Sequence, residues 1–142
     1  ISVRTAQNRI TEKQFLAANG FAIAPYCVIR HAEDLLTQNV SNYLPGILKV
    51  SQFGYDGKGQ KRVENVTDLK LAFEALNHSD CVLEKFIPLT LEISVVVARS
   101  ATGQVKAYPV SENQHVNGIL DISIVPARVP KSLANHAQMT AC

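Results

Sequence analysis

The stretch GYDGKGQ, residues 54–60, constrains this chain more than any other. Glycine at 54, 57 and 59 is poorly suited to the interior of a helix or strand, because glycine loses the most backbone freedom on ordering. The stretch follows GILKV (residues 46–50), which reads as a short apolar strand, and precedes QKRV (residues 60–63), which reads as its return. A glycine loop that runs from strand to strand is neither of the two commonest phosphate loops. A Walker loop needs G-x-x-x-x-G-K-[ST] opening a helix. Here Lys58 is followed by Gly59, and no Ser or Thr is placed to hold magnesium. A Rossmann turn needs G-x-G-x-x-G, whereas the order here is Gly54-x-x-Gly57-x-Gly59. The remaining reading is a flap that closes over a nucleotide and offers backbone N–H groups to its phosphates, as the kinase flap does. Glycine suits that role through close backbone approach and positive φ. The same residues would also make a plain hairpin tip.

Around this loop the chain alternates helical and extended signals. Residues 11–19 read as a helix, with Thr11 and Gln14 in capping-box positions and Gly20 as the stop. Residues 24–29 read as a strand and residues 32–39 as a short helix with acids in its first turn. Leu69, Ala72, Phe73 and Leu76 fall on one face of a helix that Thr67 is expected to cap. Residues 81–86 read as a strand, and Pro88 marks a lobe boundary. Beyond it, residues 91–100 and 105–110 read as strands joined by ATGQ, residues 118–128 as a further strand, and a helix begins near Ser132. The sum is an α+β chain: a leading helix segment (1–22), a small lobe with the glycine flap (23–87), and the start of an antiparallel lobe (88–142).

Lys49 lies in the strand that enters the glycine loop, between Leu48 and Val50. A lysine there either snorkels to water or faces an anion, and a neighbouring phosphate loop favours the anion. Glu84 ends a buried-looking strand just before the lobe break, where backbone N–H and C=O groups can read an adenine edge. Glu92 starts the next strand, and a carboxylate there suits two ribose hydroxyls because it only accepts hydrogen bonds. For either glutamate the plain alternative is a surface salt bridge. A net charge of +2, sparse aromatics and no Trp give no electrostatic stripe or stacking platform for nucleic acid. No apolar run is long enough to cross a bilayer. Three cysteines with no C-x-x-C pair suit a reduced, cytoplasmic setting better than a disulfide framework or a zinc site.

Arg9 in NRITEKQFL, then ILK and FGYDGKGQ, LEKFIPLTLEISVVVAR and YPVSENQHVNGIL occur in this order. The chain resembles the 5-(carboxyamino)imidazole ribonucleotide synthases, ATP-grasp enzymes of purine biosynthesis. The resemblance spans essentially the whole chain and implies the ATP-grasp fold, with ATP between two lobes. It implies that ATP phosphorylates bicarbonate to carboxyphosphate and that aminoimidazole ribonucleotide captures the carboxyl group. By position, Arg9 and Lys49 are expected on the ATP phosphates. Gly54, Tyr55, Asp56, Gly57, Lys58, Gly59 and Gln60 would form the flap, with Tyr55, Asp56 and Lys58 nearest the chemistry. Glu84, Lys85, Phe86 and Ile87 would line the adenine, Glu92 would hold the ribose, and His115 would lie near the nucleotide or the bicarbonate. No metal ligand is assigned in this chain. The carboxylates that hold Mg2+ in the family, and its N-terminal domain, are expected outside these residues. The chain is therefore read as an internal fragment, inactive alone, of a protein that is homodimeric at full length. Two other readings stay open: another ATP-grasp ligase of the biotin carboxylase or glycinamide ribonucleotide ligase kind, and a nucleotide-binding module without chemistry.

Overall fold

In the computed structural model, which describes residues 2–54 and 59–142, four strands assemble around the glycine segment. They are β1 (Tyr26–Ile29), β2 (Gly46–Val50), β3 (Gln60–Val63) and β4 (Cys81–Lys85). They form one antiparallel sheet in the order β1-β4-β2-β3. The apolar residues of alternate positions fall on one face, as the two-residue period of a strand requires. Cys27, Ile29, Leu48, Val63, Cys81 and Leu83 join the core cluster there.

Helix α4 (Val66–Ala75) covers that face with Leu69, Ala72 and Phe73, and Leu76 follows at its end. These are the four positions that the helical periodicity picks out. The cap differs from expectation. Asn65, not Thr67, is the N-cap, and its side chain accepts the Asp68 N–H. The first helices, α1 (Ser2–Ala6) and α2 (Arg9–Ala18), show a similar shift. Asn8 caps α2 by accepting from the N–H groups of Ile10 and Thr11, so the helix starts two residues before the expected Thr11. Its end follows the sequence signal. Gly20 has φ +75°, and Gly20 and Phe21 donate to the Ala17 and Leu16 carbonyls, which closes the helix. The helix expected over 32–39 is shorter, α3 (Asp34–Thr37), and a separate 3₁₀ turn (Val40–Tyr43) follows it. Asp34 accepts the N–H groups of Arg30 and His31, and these bonds hold its carboxyl below the usual range.

The chain divides into two compact units, Ile1–Pro88 and Leu89–Cys142. In the second unit β5 (Glu92–Ser94), β8 (Ser111–Val116) and β9 (Ile119–Ile124) form a three-stranded antiparallel sheet in the order β5-β8-β9. A separate hairpin pairs β6 (Val97–Arg99) with β7 (Val105–Ala107). The single strand expected over 91–100 is thus two strands in different sheets, broken at Val95 and Val96. Helix α5 (Lys131–Ala141) ends the chain. Among the described residues no helix is long and apolar enough to cross a membrane.

Candidate functional site

The face of the first sheet opposite the core carries the polar residues. Register sets Arg62, Ile47, Glu84 and Tyr26 in one row across β3, β2, β4 and β1, and Gln60, Lys49, Val82 and Val28 in the next. Lys49 and Glu84 are therefore diagonal neighbours across β2 and β4. The Lys49 ammonium lies 3.2 Å from Glu84 Oε2. Lys13, on α2, lies 3.1 Å from the same oxygen. All three side chains are largely shielded, with 20% or less of each exposed. The anion that Lys49 faces in this structure is thus the Glu84 carboxylate. Lys13 also approaches the Tyr26 ring, 5.6 Å from its centroid.

At one end of β2 the chain enters the glycine segment. Val50 N–H donates to the Gly59 carbonyl at 2.8 Å, and Lys49 pairs with Gln60, so the segment joins two antiparallel strands. A Cβ on Gly59 would lie 2.6 Å from Val50 Cγ2 and 2.8 Å from Gly54 Cα. The two glycines form a neck where the backbones nearly touch. At Gly59 a side chain would have to displace backbone, so space selects glycine there. Tyr55, Asp56, Gly57 and Lys58 lie outside the described residues.

A polar cleft of about 280 Å³ adjoins the neck, lined by Gln7, Arg9, Glu12, Ser51, Gln52 and Gly54 among others. Arg9 Nη2 lies 3.9 Å from the position a Gly54 Cβ would take. The Arg9 guanidinium makes no ion pair among the described residues. The backbone at the start of α2 offers no donors of its own. Arg9 N–H goes to the Ser51 carbonyl, Ile10 and Thr11 to the Asn8 side chain, and Glu12 to the Asn8 carbonyl. Positive charge reaches this cleft through the Arg9 side chain.

At the other end of β2 and β4 lies the expected hinge. Lys85 N–H donates to the Pro25 carbonyl and Phe86 N–H to the Pro45 carbonyl, both at 2.8 Å. These donors are spent within the fold. Ile87 N–H has no protein acceptor among the described residues. The Arg62 guanidinium stacks over the Phe86 ring, 4.2 Å from its centroid, and steadies the segment. Gly46, opposite Lys85, has no room for a side chain, since a Cβ would lie 2.8 Å from the Glu84 carbonyl.

In the second unit Glu92 Oε2 lies 2.5 Å from His115 Nδ1. Glu92 pairs with Asn113 across β5 and β8, so His115 is its diagonal neighbour. A register irregularity between β8 and β9 falls between Gln114 and His115. Among the described residues no group of three or more His, Cys, Asp or Glu gathers to hold a metal ion.

Residues 14–142 match the ATP-grasp domain. The chain belongs to the ATP-grasp family. It is 39% identical over 131 residues to the N5-carboxyaminoimidazole ribonucleotide synthase of Bacillus subtilis, covering 92% of this chain and 34% of that protein. It superposes on the N5-carboxyaminoimidazole synthetase of Staphylococcus aureus complexed with ADP (TM-score 0.86, 34% identity), covering 98% of this chain and 37% of the other. A third match is the Aspergillus clavatus synthase in complex with ADP and 5-aminoimidazole ribonucleotide. Its TM-score is 0.86 at 26% identity, covering 98% of this chain and 36% of the other. This ATP-grasp chain spans about a third of the length of the relatives it matches.

Three features of this ATP-grasp chain escaped the sequence reading. Lys13 is one helical turn beyond Arg9, the spacing that sets two side chains on one helix face, yet only the fold brings it to Glu84. Arg62 alternates with Gln60 on β3, which could have marked it as sharing that face. The free Ile87 N–H has no sequence signal, because its neighbours are silenced by carbonyls distant in the chain.

Proposed function

We propose that this chain is the nucleotide-binding part of an enzyme that carboxylates aminoimidazole ribonucleotide with ATP and bicarbonate. The observation that carries the reading is the single polar face of β2 and β4. Lys49 and Glu84 meet on it, the glycine neck lies at one end and the free Ile87 N–H at the other. Val50 and Gly46 mark those ends and stand about 13 Å apart at the rise of a strand. That span suits an extended nucleoside triphosphate with its base at Ile87 and its phosphates at the neck.

In this reading the Ile87 N–H donates to the adenine edge, and the carbonyls of Lys85 and Phe86 accept from its amino group. Lys49 and Arg9 neutralise the phosphates, and the backbone of Gly54 and Gly59 approaches them closely. Gln60 sits opposite Lys49 at the same end. Tyr55, Asp56, Gly57 and Lys58, which lie outside the described residues, have the role of excluding water from a short-lived acyl phosphate. In the second unit Glu92 has the role of accepting from ribose hydroxyls, and His115 beside it orients that carboxylate.

The γ-phosphoryl group passes to a bicarbonate oxygen, giving ADP and carboxyphosphate. The amine nitrogen of the ribonucleotide then bonds to the carboxyl carbon and phosphate leaves. The amine gives up one proton, and the product is the carbamate. Phosphoryl transfer of this kind depends mostly on positioning and charge neutralisation, which is what cations and backbone donors supply. Magnesium would accompany the triphosphate. The described residues gather no group of three or more His, Cys, Asp or Glu to hold it. Three cysteines that form no disulfide accord with a reducing cytoplasm.

The test is ADP release by the purified full-length protein. Release that requires both bicarbonate and aminoimidazole ribonucleotide is expected. Release that ignores bicarbonate, or that needs a different amine, would overturn the reading.

A further inference from the structure

Glu84 Oε2 faces two ammonium groups at once: it accepts a hydrogen bond from Lys49 at 3.2 Å and pairs with Lys13 at 3.1 Å. One carboxylate facing two lysines leaves one positive charge unbalanced. We propose that Lys13 is a positioning residue whose charge holds Glu84 when an anion takes Lys49. The inference rests on the nucleotide reading above for the identity of that anion.

The geometry explains why a second cation is useful. A shielded Lys49 paired one-to-one with Glu84 would be neutralised, and an arriving phosphate would have to strip it from its partner. That exchange leaves a shielded carboxylate unpaired, which is costly. With Lys13 in place the carboxylate keeps an ion pair throughout, and Lys49 can turn to the phosphate. Lys13 comes from α2 while Lys49 and Glu84 come from the sheet, so the helix supplies the spare charge. Lys13 is further anchored by the Tyr26 ring, which lies opposite Glu84 on β1.

The experiment is calorimetric titration of the 142-residue chain, of Lys13→Met and of Lys13→Arg, with three probes: ATP, inorganic tripolyphosphate and adenosine. Wild type is expected to bind ATP and tripolyphosphate, with Lys13→Met weaker for both by on the order of tenfold, the scale of one nearby charge in a partly shielded site. Lys13→Arg should recover most of the loss, and the deficit of Lys13→Met should shrink with added salt. Adenosine affinity should be the same in all three, which a general loss of structure would not give. Urea unfolding of each variant checks that the fold is intact. Undiminished tripolyphosphate binding by Lys13→Met would overturn the proposal, as would an equal loss for adenosine. Lys13-dependent binding of tripolyphosphate without binding of ATP would keep the proposal and sink the nucleotide reading. Failure of wild type to bind either anion would end both.

Discussion

Gly59→Ala adds one methyl group at the tightest point of the candidate site. That methyl would lie 2.6 Å from Val50 Cγ2 and 2.8 Å from Gly54 Cα, both closer than packed carbons tolerate. The valine methyl can yield by a small rotation. The Gly54 Cα is backbone, and moving it means opening the neck between β2 and β3. Overpacking of this kind costs about 1–3 kcal/mol. Gly54→Ala is the control. Its methyl meets only Val50 Cγ2 at 3.1 Å, with the next neighbours at 3.8 Å or beyond. Its strain is partly offset by about 0.4–1 kcal/mol from a less flexible unfolded chain. It should therefore sit close to wild type. In a Val50→Ala background the Gly59→Ala penalty should shrink without vanishing, because the Gly54 contact remains. Urea unfolding of the four single and double variants measures these terms as a double-mutant cycle. Gly59→Ala as stable as wild type, or a penalty indifferent to Val50, would refute the steric account of the neck.

Further expectations follow from the core and from the titrating groups. Phe73 is 1% exposed in the centre of the first unit, and Phe73→Ala should cost about 3–5 kcal/mol in the same unfolding assay. Burial pushes the Cys27 thiol up to about 11 and the Cys81 thiol to about 12, whereas Cys142 is exposed. A thiol reagent at neutral pH should label Cys142 alone in the native chain and all three after denaturation. Because the folded state holds those two protons more tightly, their contribution is full below about pH 8.5 and is lost as pH rises through 11 to 12. Alkaline unfolding in that window, reduced in Cys81→Ala, checks the sign. Glu112 is 4% exposed and takes a forked pair of bonds from Arg128, which hold its carboxyl below the usual range. Its contribution is present above the ordinary carboxylate value and lost as pH falls through the lowered one. Glu112→Gln should thus be less stable than wild type at neutral pH, and the gap should narrow in acid.

The parts of the fold that could be read from the sequence are those governed by local chemistry. The apolar stripe of Leu69, Ala72, Phe73 and Leu76, the Gly20 stop and the GILKV and QKRV strands all carry period or turn signals that packing then respects. The cap positions slipped because Asn8 and Asn65 compete with nearby threonines, and both satisfy the same orphan N–H groups. Strand β8 was missed because its sequence, SENQHV, has no apolar alternation. Its turn was nonetheless readable. Asn117 and Gly118, with φ of 53° and 78°, are the Asn-Gly pair that closes a two-residue hairpin. Lys49, Glu84 and the glycine neck were visible as residue types. Their meeting on one sheet face, with Lys13 joining them, depends on a register between strands some thirty-five residues apart. No local pattern encodes that register.

In the proposed binding mode a nucleotide lies along the polar face of β2 and β4 with its base at Ile87 and its phosphates at the glycine neck. Amide resonances of the ¹⁵N-labelled chain, followed during titration with ATP, test it most directly. That binding mode predicts that the Ile87, Gly54 and Gly59 amides move together along one binding curve. The Lys85 and Phe86 amides, tied to Pro25 and Pro45, should move far less. An unmoved Ile87 amide, with shifts gathered instead around the groove of Ala32, Leu35, Phe73 and His78, would contradict it.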